Sequence, residues 1–154
     1  MIANERQYRT SKSQLQMLLD AITEMGIPDE EISALEKAER DALMSEVAVL
    51  RDQIKEYEDL RSGKVKVLRA RGLEGLPGML VRARIGQRLT QRELAALVGI
   101  REQQIQKYEA SDYAGASLTR LREIANALKL EIEEVAEFKE SLEDSGSKGG
   151  TLDG

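Results

Sequence analysis

The chain of 154 residues has no cysteine, no histidine and no tryptophan. Without cysteine it cannot form disulfides, thiolate zinc sites or thiol nucleophiles, and without histidine it has no imidazole base or Ser-His-Asp triad. No apolar run approaches the roughly 18 residues that a membrane span needs, and the polar start "MIANERQYRT" is unlike a signal peptide. We therefore expect a cytoplasmic protein that uses no metal or cofactor.

Carboxylates are the remaining candidates for acid–base catalysis. Glu36, Glu39, Glu56 and Asp59 lie at helical spacing in the first half of the chain. Their neighbours alternate in charge, which is typical of the exposed face of a helix. The sequence therefore predicts a protein that is not an enzyme.

The net charge of −5 hides a sorting of charge along the chain. Residues 1–62 carry 8 Lys and Arg against 14 Asp and Glu, residues 63–130 carry 13 against 6, and residues 131–154 carry 2 against 8. A basic middle segment is the pattern expected of a polyanion binder. Neutralisation of this segment by the protein's own acidic flanks is the alternative, and charge alone does not decide between them.

Two helices are predicted in residues 1–62. The first runs from Ser11 to Met25, with Ser11 and Gln14 in capping-box spacing. The second runs from Pro28 to Ser62, with Gly63 as its C-terminal stop. At 1.5 Å per residue the helices measure roughly 20 and 50 Å, so a hairpin would cover at most half of the longer one.

The half of the second helix predicted to be uncovered carries a heptad stripe. Its members step by four and three residues, and they are Leu43, Val47, Leu50, Ile54 and Tyr57. The stripe predicts either a dimer seam or packing against the rest of the same chain. Residues 1–62 are accordingly expected to be a dimerisation arm or a partner-binding arm.

Three further segments follow. Residues 63–75 are predicted to be a basic hinge, whose Lys64, Lys66, Arg69 and Arg71 either contact phosphate or keep a linker soluble. Residues 76–140 are predicted to form a five-helix domain, and residues 141–154, rich in glycine and serine, a disordered tail. The fold class expected is all-α.

Residues 91–110 match a helix-turn-helix position by position. Ala95 supplies the small residue where two helices cross, and Gly99 tolerates the positive φ of a tight turn. Thr90 can cap the first helix, with Glu93 reciprocating three residues later. The positions that face inward are all apolar: Leu94, Val98, Ile100, Ile105 and Tyr108.

This register turns a run of polar side chains outward. Gln103, Gln104, Gln106 and Lys107 project from the first turns of the second helix. An α-helix fits the major groove of B-DNA, and glutamine can bond adenine N6 and N7 in bidentate fashion. Glutamine is also a good exposed helix former, but within a matched helix-turn-helix we predict base readout.

The stretch "RARIGQRLTQRELAALVGIREQQIQKYEASDYAGASLTRLREIANAL" resembles the XRE family, whose DNA-binding domain is shared with Cro and lambda-type phage repressors. It is also similar to the domain of HigA-type antitoxins, and the resemblance covers about residues 76–130. It implies a lambda-repressor-like fold with a structural ion pair between Arg84 and Glu109. It also implies that Gln91 braces against backbone phosphate. The other predicted phosphate contacts are Thr90, Arg101 and Ser117, and Ser117 can cap the next helix and offer that helix's N-terminal amides to a phosphate.

The chain departs from the family pattern at three places. Arg88 precedes "LTQ" where the family has glycine, and Glu109-Ala110-Ser111 stands where it has Glu-x-Gly. The following loop, "SDYAGAS", lacks the family's proline.

Three functions are compatible with these patterns. The first is a dimeric repressor that binds a palindromic site on double-stranded DNA, since one module of this size buries little surface. The second is an antitoxin whose acidic arm neutralises a small basic toxin while the helix-turn-helix represses the operon. The third, RNA binding or a structural role, is disfavoured by one Phe and four Tyr, because RNA modules stack bases on exposed aromatics.

Overall fold

The computed structural model describes residues 1–26 and 32–139. Within these ranges the chain is all-helical, with six α-helices, one short 3₁₀ helix at Leu73–Gly75 and no strand. The α-helices are α1 Glu5–Glu24, α2 Ala34–Ser62, α3 Leu76–Gly86, α4 Gln91–Val98, α5 Glu102–Ala110 and α6 Leu118–Ala127. The predicted fold class is confirmed.

Helix α1 begins two turns earlier than predicted. The Asn4 side chain caps it by accepting a hydrogen bond from the Gln7 amide at 2.9 Å, and Glu5 occupies the first turn, where the helix dipole favours a negative charge. Asparagine is as strong an N-cap as serine, so the helix starts at the first cap available. The predicted start at Ser11 is wrong, because Ser11 lies inside the helix.

Helix α2 ends as predicted and begins at a capping box. The Ser33 hydroxyl accepts a hydrogen bond from the Glu36 amide, and the Glu36 carboxylate accepts one from the Ser33 amide. Gly63 ends the helix with a φ of 77°, a left-handed conformation that glycine adopts without strain. Pro28, the predicted start, lies outside the described residues.

Helices α1 and α2 form an antiparallel hairpin that runs along most of α2. Near one end the Tyr8 ring stacks on Tyr57 at 4.9 Å, and the Tyr8 hydroxyl donates to Glu58 at 2.6 Å. Near the other end Arg40 donates to the Gly26 carbonyl at 2.7 Å. The expectation that a hairpin covers at most half of α2 is wrong, because α1 is longer than predicted and reaches Tyr57.

The heptad stripe of α2 is consequently part of the core of a single chain. Val47, Leu50, Ile54 and Tyr57 are at most 8% exposed, and Leu43 is half-buried. The expectation of an uncovered stripe is wrong, since packing within the chain already satisfies these side chains. A dimer through this stripe would require the hairpin to open.

The hairpin and the C-terminal helices share one hydrophobic core. Leu80, Leu94, Ile105, Ile124 and Leu128 are fully buried at its centre. Ile2 and Leu60, each 3% exposed, belong to the same cluster. The irregular segment 63–72 therefore connects two parts of one packed body.

The fifth helix predicted for residues 76–140 is absent from its described part. Residues 131–139 have no helical structure, and the Val135 and Phe138 side chains are 88% and 101% exposed. Most helical stability in proteins comes from packing an apolar face, and these side chains meet no surface of the described residues. The region contains four helices, α3 to α6, up to residue 139. The tail predicted at 141–154 lies outside the described residues.

Arg84 is the charged residue that lies buried in the described chain, with 2% of its surface exposed. Its Nε and Nη2 donate to the two carboxylate oxygens of Glu109 at 2.6 and 2.8 Å. The Leu89 carbonyl accepts from Nη1 at 2.9 Å, and the Ala3 carbonyl accepts from Nη2 at 2.7 Å. A bidentate pair with further acceptors satisfies the guanidinium that burial has removed from water.

Replacing Leu50 with aspartate tests whether the α2 stripe is core or interface. Leu50→Asp buries a charge inside the hairpin and should lower the free energy of unfolding by at least about 3 kcal/mol. Val49→Asp is the matched control, because Val49 is 55% exposed and its substitution should cost about 0.5 kcal/mol or less. Urea unfolding followed by circular dichroism measures both. Unchanged stability of Leu50→Asp with a halved mass in sedimentation would instead identify a dimer seam.

A second prediction concerns the buried ion pair. Arg84→Met and Glu109→Met each leave one buried charge without its partner and should cost about 3–5 kcal/mol. The double variant should cost less than the sum of the single variants, because it leaves neither charge unpaired. Thermal and urea melts of the three proteins form the double-mutant cycle.

Arg82 provides the control for that cycle. It lies two residues before Arg84 on α3 and pairs with Glu56, with 37% of each side chain exposed. Because water screens such a pair, Arg82→Met should cost about 1 kcal/mol or less. Strictly additive losses at Arg84 and Glu109 would contradict the coupling that the structure shows.

Candidate nucleic-acid interface

Helices α4 and α5 form the predicted helix-turn-helix. The Thr90 hydroxyl accepts from the Glu93 amide at 3.1 Å, and the Glu93 carboxylate accepts from the Thr90 amide at 2.7 Å, which confirms the predicted capping box. Gly99 ends α4 with a φ of 77°, and the Ile100 amide donates a hydrogen bond to the Ala95 carbonyl at 3.0 Å. The turn therefore has the left-handed residue that the sequence predicted.

The Glu93 cap carries a pH dependence. Hydrogen bonds from the amide and hydroxyl of Thr90 lower the pKa of the Glu93 carboxyl below its ordinary value of 4.5. The ionised carboxylate is therefore the form that caps α4. The stability that this cap gives the folded protein is fully present above the ordinary pKa of the carboxyl. It is lost as the pH falls through the lowered pKa of the folded state.

The apolar positions of the motif face the core as predicted. Leu94 and Ile105 are fully buried, and Ala95, at the helix crossing, is 2% exposed. Val98, Ile100 and Tyr108 are partly buried against the same cluster. This packing fixes which face of α5 is turned to solvent.

The solvent face of α5 carries the predicted base-reading side chains. Gln103, Gln106 and Lys107 are exposed, and Gln104 is half-buried. Gln106 donates to the Glu102 carboxylate at 3.3 Å, one turn earlier. Four long polar side chains thus lie on the first two turns of α5, a helix whose opposite face is packed against the core.

The predicted phosphate contacts lie at the starts of α4, α5 and α6. Gln91 is the first residue of α4, Arg101 is the exposed N-cap residue of α5, and Ser117 caps α6 by accepting from the Arg120 amide at 3.1 Å. Besides Ser117, two of the four residues donate side-chain hydrogen bonds within the chain. The Thr90 hydroxyl donates to Glu93 at 2.9 Å, and Gln91 Nε2 donates to Glu109 at 2.8 Å.

The Gln91 contact joins α4 to the buried ion pair. Glu109 Oε2 accepts from both Gln91 and Arg84, so the start of α4 and the end of α5 are tied to one carboxylate. The sequence indicated the Arg84–Glu109 pair through family resemblance but gave no sign of this third member. Gln91 therefore positions α5 in addition to its predicted role at the DNA backbone.

Arg88 has a backbone conformation that explains why the XRE family usually has glycine at this position. Its φ is 59°, in the left-handed region where a side chain is disfavoured. The Arg88 Nε donates to the Arg61 carbonyl at the end of α2, at 3.0 Å. The side chain that replaces glycine thus fastens the hairpin to the loop before α4.

The loop after α5 is organised by Tyr113, which sequence reasoning missed. Asp112 and Tyr113 both have positive φ, 49° and 57°. The Tyr113 ring is 5% exposed and stacks on Tyr108 at 5.6 Å, and its hydroxyl has no partner in the described chain. Burial, with the nearby Glu109 carboxylate, raises the pKa of Tyr113 well above its ordinary value. The sequence feature that could have revealed this role is an aromatic residue in an otherwise polar loop.

The described ranges contain neither a cluster of metal-ligating residues nor a membrane-spanning helix. Their acidic residues form no group of three or more that could hold a metal ion. None of their helices combines the length and the apolar character needed to cross a membrane.

Comparison with known proteins agrees with this geometry. A helix-turn-helix family model matches residues 80–135, which include most of α3 and all of α4, α5 and α6. No curated protein and no solved structure matches the chain. The match falls on the segment where the turn glycine, the buried helix crossing and the outward polar face were found. Residues 80–135 are therefore similar to helix-turn-helix domains, which agrees with the resemblance to the XRE family that the sequence predicted.

Proposed function

We propose that the chain is a sequence-specific transcriptional regulator, a dimeric repressor that reads a palindromic operator through the major groove. The observation that carries the proposal is the exposed polar face at the start of α5. That face is held from behind by the fully buried Ile105 and by the bidentate Arg84–Glu109 pair. A rigid helix with long hydrogen-bonding side chains suits readout of base edges.

Gln103, Gln104 and Gln106 are the proposed base readers, with Lys107 beside them. A glutamine amide offers a donor and an acceptor side by side, which matches adenine N7 and N6. Lysine donates only, and it suits guanine acceptors or a phosphate oxygen. These four residues lie on the turns of α5 that follow Arg101.

The backbone contacts are proposed at the three helix starts. Arg101 would bring a positive charge to a backbone phosphate, and Gln91 would donate the amide hydrogen that Glu109 does not use. Ser117 lies at the start of α6, where the free backbone amides would donate to a phosphate. Residues 63–130 carry 13 Lys and Arg against 6 Asp and Glu, which favours approach to a polyanion. These contacts orient the domain, whereas base contacts give it specificity.

Pairing of two chains supports the affinity that a repressor needs. A single module of this kind buries too little surface for tight specific binding, and paired half-sites separated by a helical turn are the usual geometry. The α2 stripe is occupied within the chain, so we propose the dimer without assigning its interface to that stripe.

Binding titrations test the proposed readers against the backbone contacts. Gln103→Ala and Gln104→Ala should each cost about 1–3 kcal/mol on the preferred site and relax discrimination at one base pair. Gln91→Ala should weaken preferred and random duplexes by similar factors, because phosphate contacts carry little sequence information. The preferred site comes from selection of bound duplexes out of a random pool, where inverted symmetry would indicate a dimer.

Salt dependence provides the control in the same titrations. Lys107→Gln should lower the slope of log affinity against log salt if its ammonium meets a phosphate, whereas the uncharged Gln91 should leave that slope nearly unchanged. Intact discrimination in both Gln103→Ala and Gln104→Ala would mean that the glutamines are ordinary surface residues.

A second candidate function is that of an antitoxin whose hairpin binds a small basic toxin. Large apolar side chains on the hairpin favour it: Met17 is 71% exposed and Met44 is 48% exposed. They lie in a segment with 14 Asp and Glu against 8 Lys and Arg, which complements a basic partner.

Co-expression tests this candidate. If a small basic protein is encoded beside this gene, it should copurify with the full chain, and Met17→Glu with Met44→Glu should weaken the complex at least about tenfold. Val135→Glu is the control, because Val135 is 88% exposed outside the hairpin. Equal retention of the partner by all variants would exclude these methionines from the contact.

A further inference from the structure

A cleft of about 300 Å³ lies where the hairpin meets the DNA-binding domain. Its walls come from the start of α1, the end of α2, the loop before α4 and the starts of α4 and α5. Thr90 and Gln91 line it, and so does Glu102, the residue immediately before the proposed base reader Gln103. The cleft therefore opens next to the surface that the proposed function assigns to DNA.

Arginine is the residue that these walls share. Arg6 comes from α1, Arg61 from α2 and Arg88 from the loop before α4, and all three are exposed. Arg84 also reaches the wall, but its charge is matched by Glu109. Three cationic side chains from three separate segments thus converge on one opening.

Two carboxylates face the same cleft. Glu5 is shared between Arg9 at 3.2 Å and Arg61 at 3.6 Å, and Glu102 accepts a hydrogen bond from Gln106. Within the described ranges no carboxylate lies within 4 Å of Arg6 or Arg88. The Arg88 Nε donates to the Arg61 carbonyl, so the two Nη groups of its guanidinium are left to bind a ligand. The cleft therefore retains guanidinium donors that its own acids do not neutralise.

We infer that this cleft binds a phosphodiester group of the DNA backbone beside the site read by α5. The hairpin is then part of the DNA-binding surface, through Arg6 and Arg61, in addition to any role in pairing or partner binding. Planar guanidinium groups match phosphate oxygens in bidentate fashion, and several of them at one opening suit a group that carries a full negative charge. The inference rests on the proposed function, because it places the duplex against the starts of α4 and α5.

The two arm arginines have matched neighbours that do not line the cleft. Arg9 lies on α1 one turn beyond Arg6 and is paired with Glu5, while the exposed Arg51 lies on α2 ten residues before Arg61. Arg6→Gln and Arg61→Gln remove a charge inside the cleft, and Arg9→Gln and Arg51→Gln remove the same charge outside it. Arg6→Lys keeps the charge at the same position.

Full-length proteins are titrated with the preferred duplex and with a random duplex at three salt concentrations. Arg6→Gln and Arg61→Gln should each weaken both duplexes by about fivefold to tenfold near 0.1 M salt and lower the salt slope by about one. Arg9→Gln and Arg51→Gln should change affinity by no more than about twofold, because screened charges away from the contact act weakly. Arg6→Lys should retain the wild-type slope.

The outcomes separate this inference from the function on which it rests. If the wild-type chain binds no duplex, the proposed function is wrong, and this inference falls with it. If the wild type binds but the cleft variants behave like Arg9→Gln and Arg51→Gln, the inference alone is overturned. Melting curves check that each variant folds. Arg61→Gln can destabilise the protein because Arg61 also donates to the Tyr57 hydroxyl. The Arg6 side chain makes no hydrogen bond in the described ranges, so Arg6→Gln tests the inference if Arg61→Gln is unstable.

Discussion

The buried pair of Arg84 and Glu109 is the interaction on which the arrangement of this protein depends. A guanidinium and a carboxylate that are 3% and 5% exposed are tolerable only if nearly every donor and acceptor is satisfied. The partners that satisfy them come from far apart in the chain: the Ala3 carbonyl, the Leu89 carbonyl and the Gln91 amide. Satisfying one charge pair thus sets the relative positions of the N-terminus, the loop before α4 and both helices of the motif.

This arrangement gives the arm a physical connection to the proposed DNA-binding surface. Arg88 adds a second connection by donating to the end of α2, and Ile2 and Leu60 add apolar contacts to the same core. A ligand or partner that displaced the first residues of the chain would remove an acceptor from Arg84. Helix α5 would then lose part of what holds its C-terminal end.

The motif could be predicted from sequence because its determinants are local. The capping box at Thr90 and the left-handed turn at Gly99 each depend on residues a few positions apart, and the inward apolar positions follow the helical repeat within residues 94–108. Where prediction failed, tertiary contacts decided the outcome. The α2 stripe was predicted to be uncovered because α1 was predicted to begin at Ser11 rather than at the Asn4 cap, and the fifth helix predicted for residues 76–140 has no surface of the described residues to pack on. The left-handed Arg88 and the buried Tyr113 depend on contacts with Arg61 and Tyr108 that no spacing rule reveals.

The hydrogen bond between Arg84 and the Ala3 carbonyl spans 81 residues of sequence. During synthesis the N-terminal residues leave the ribosome first, and the hairpin can form from local contacts well before α5 exists. The Ala3 carbonyl acquires its buried partner only when the chain has been extended to Arg84. The hairpin is therefore made before the buried arginine that its end requires, and this long-range contact can close only after α3 has been translated.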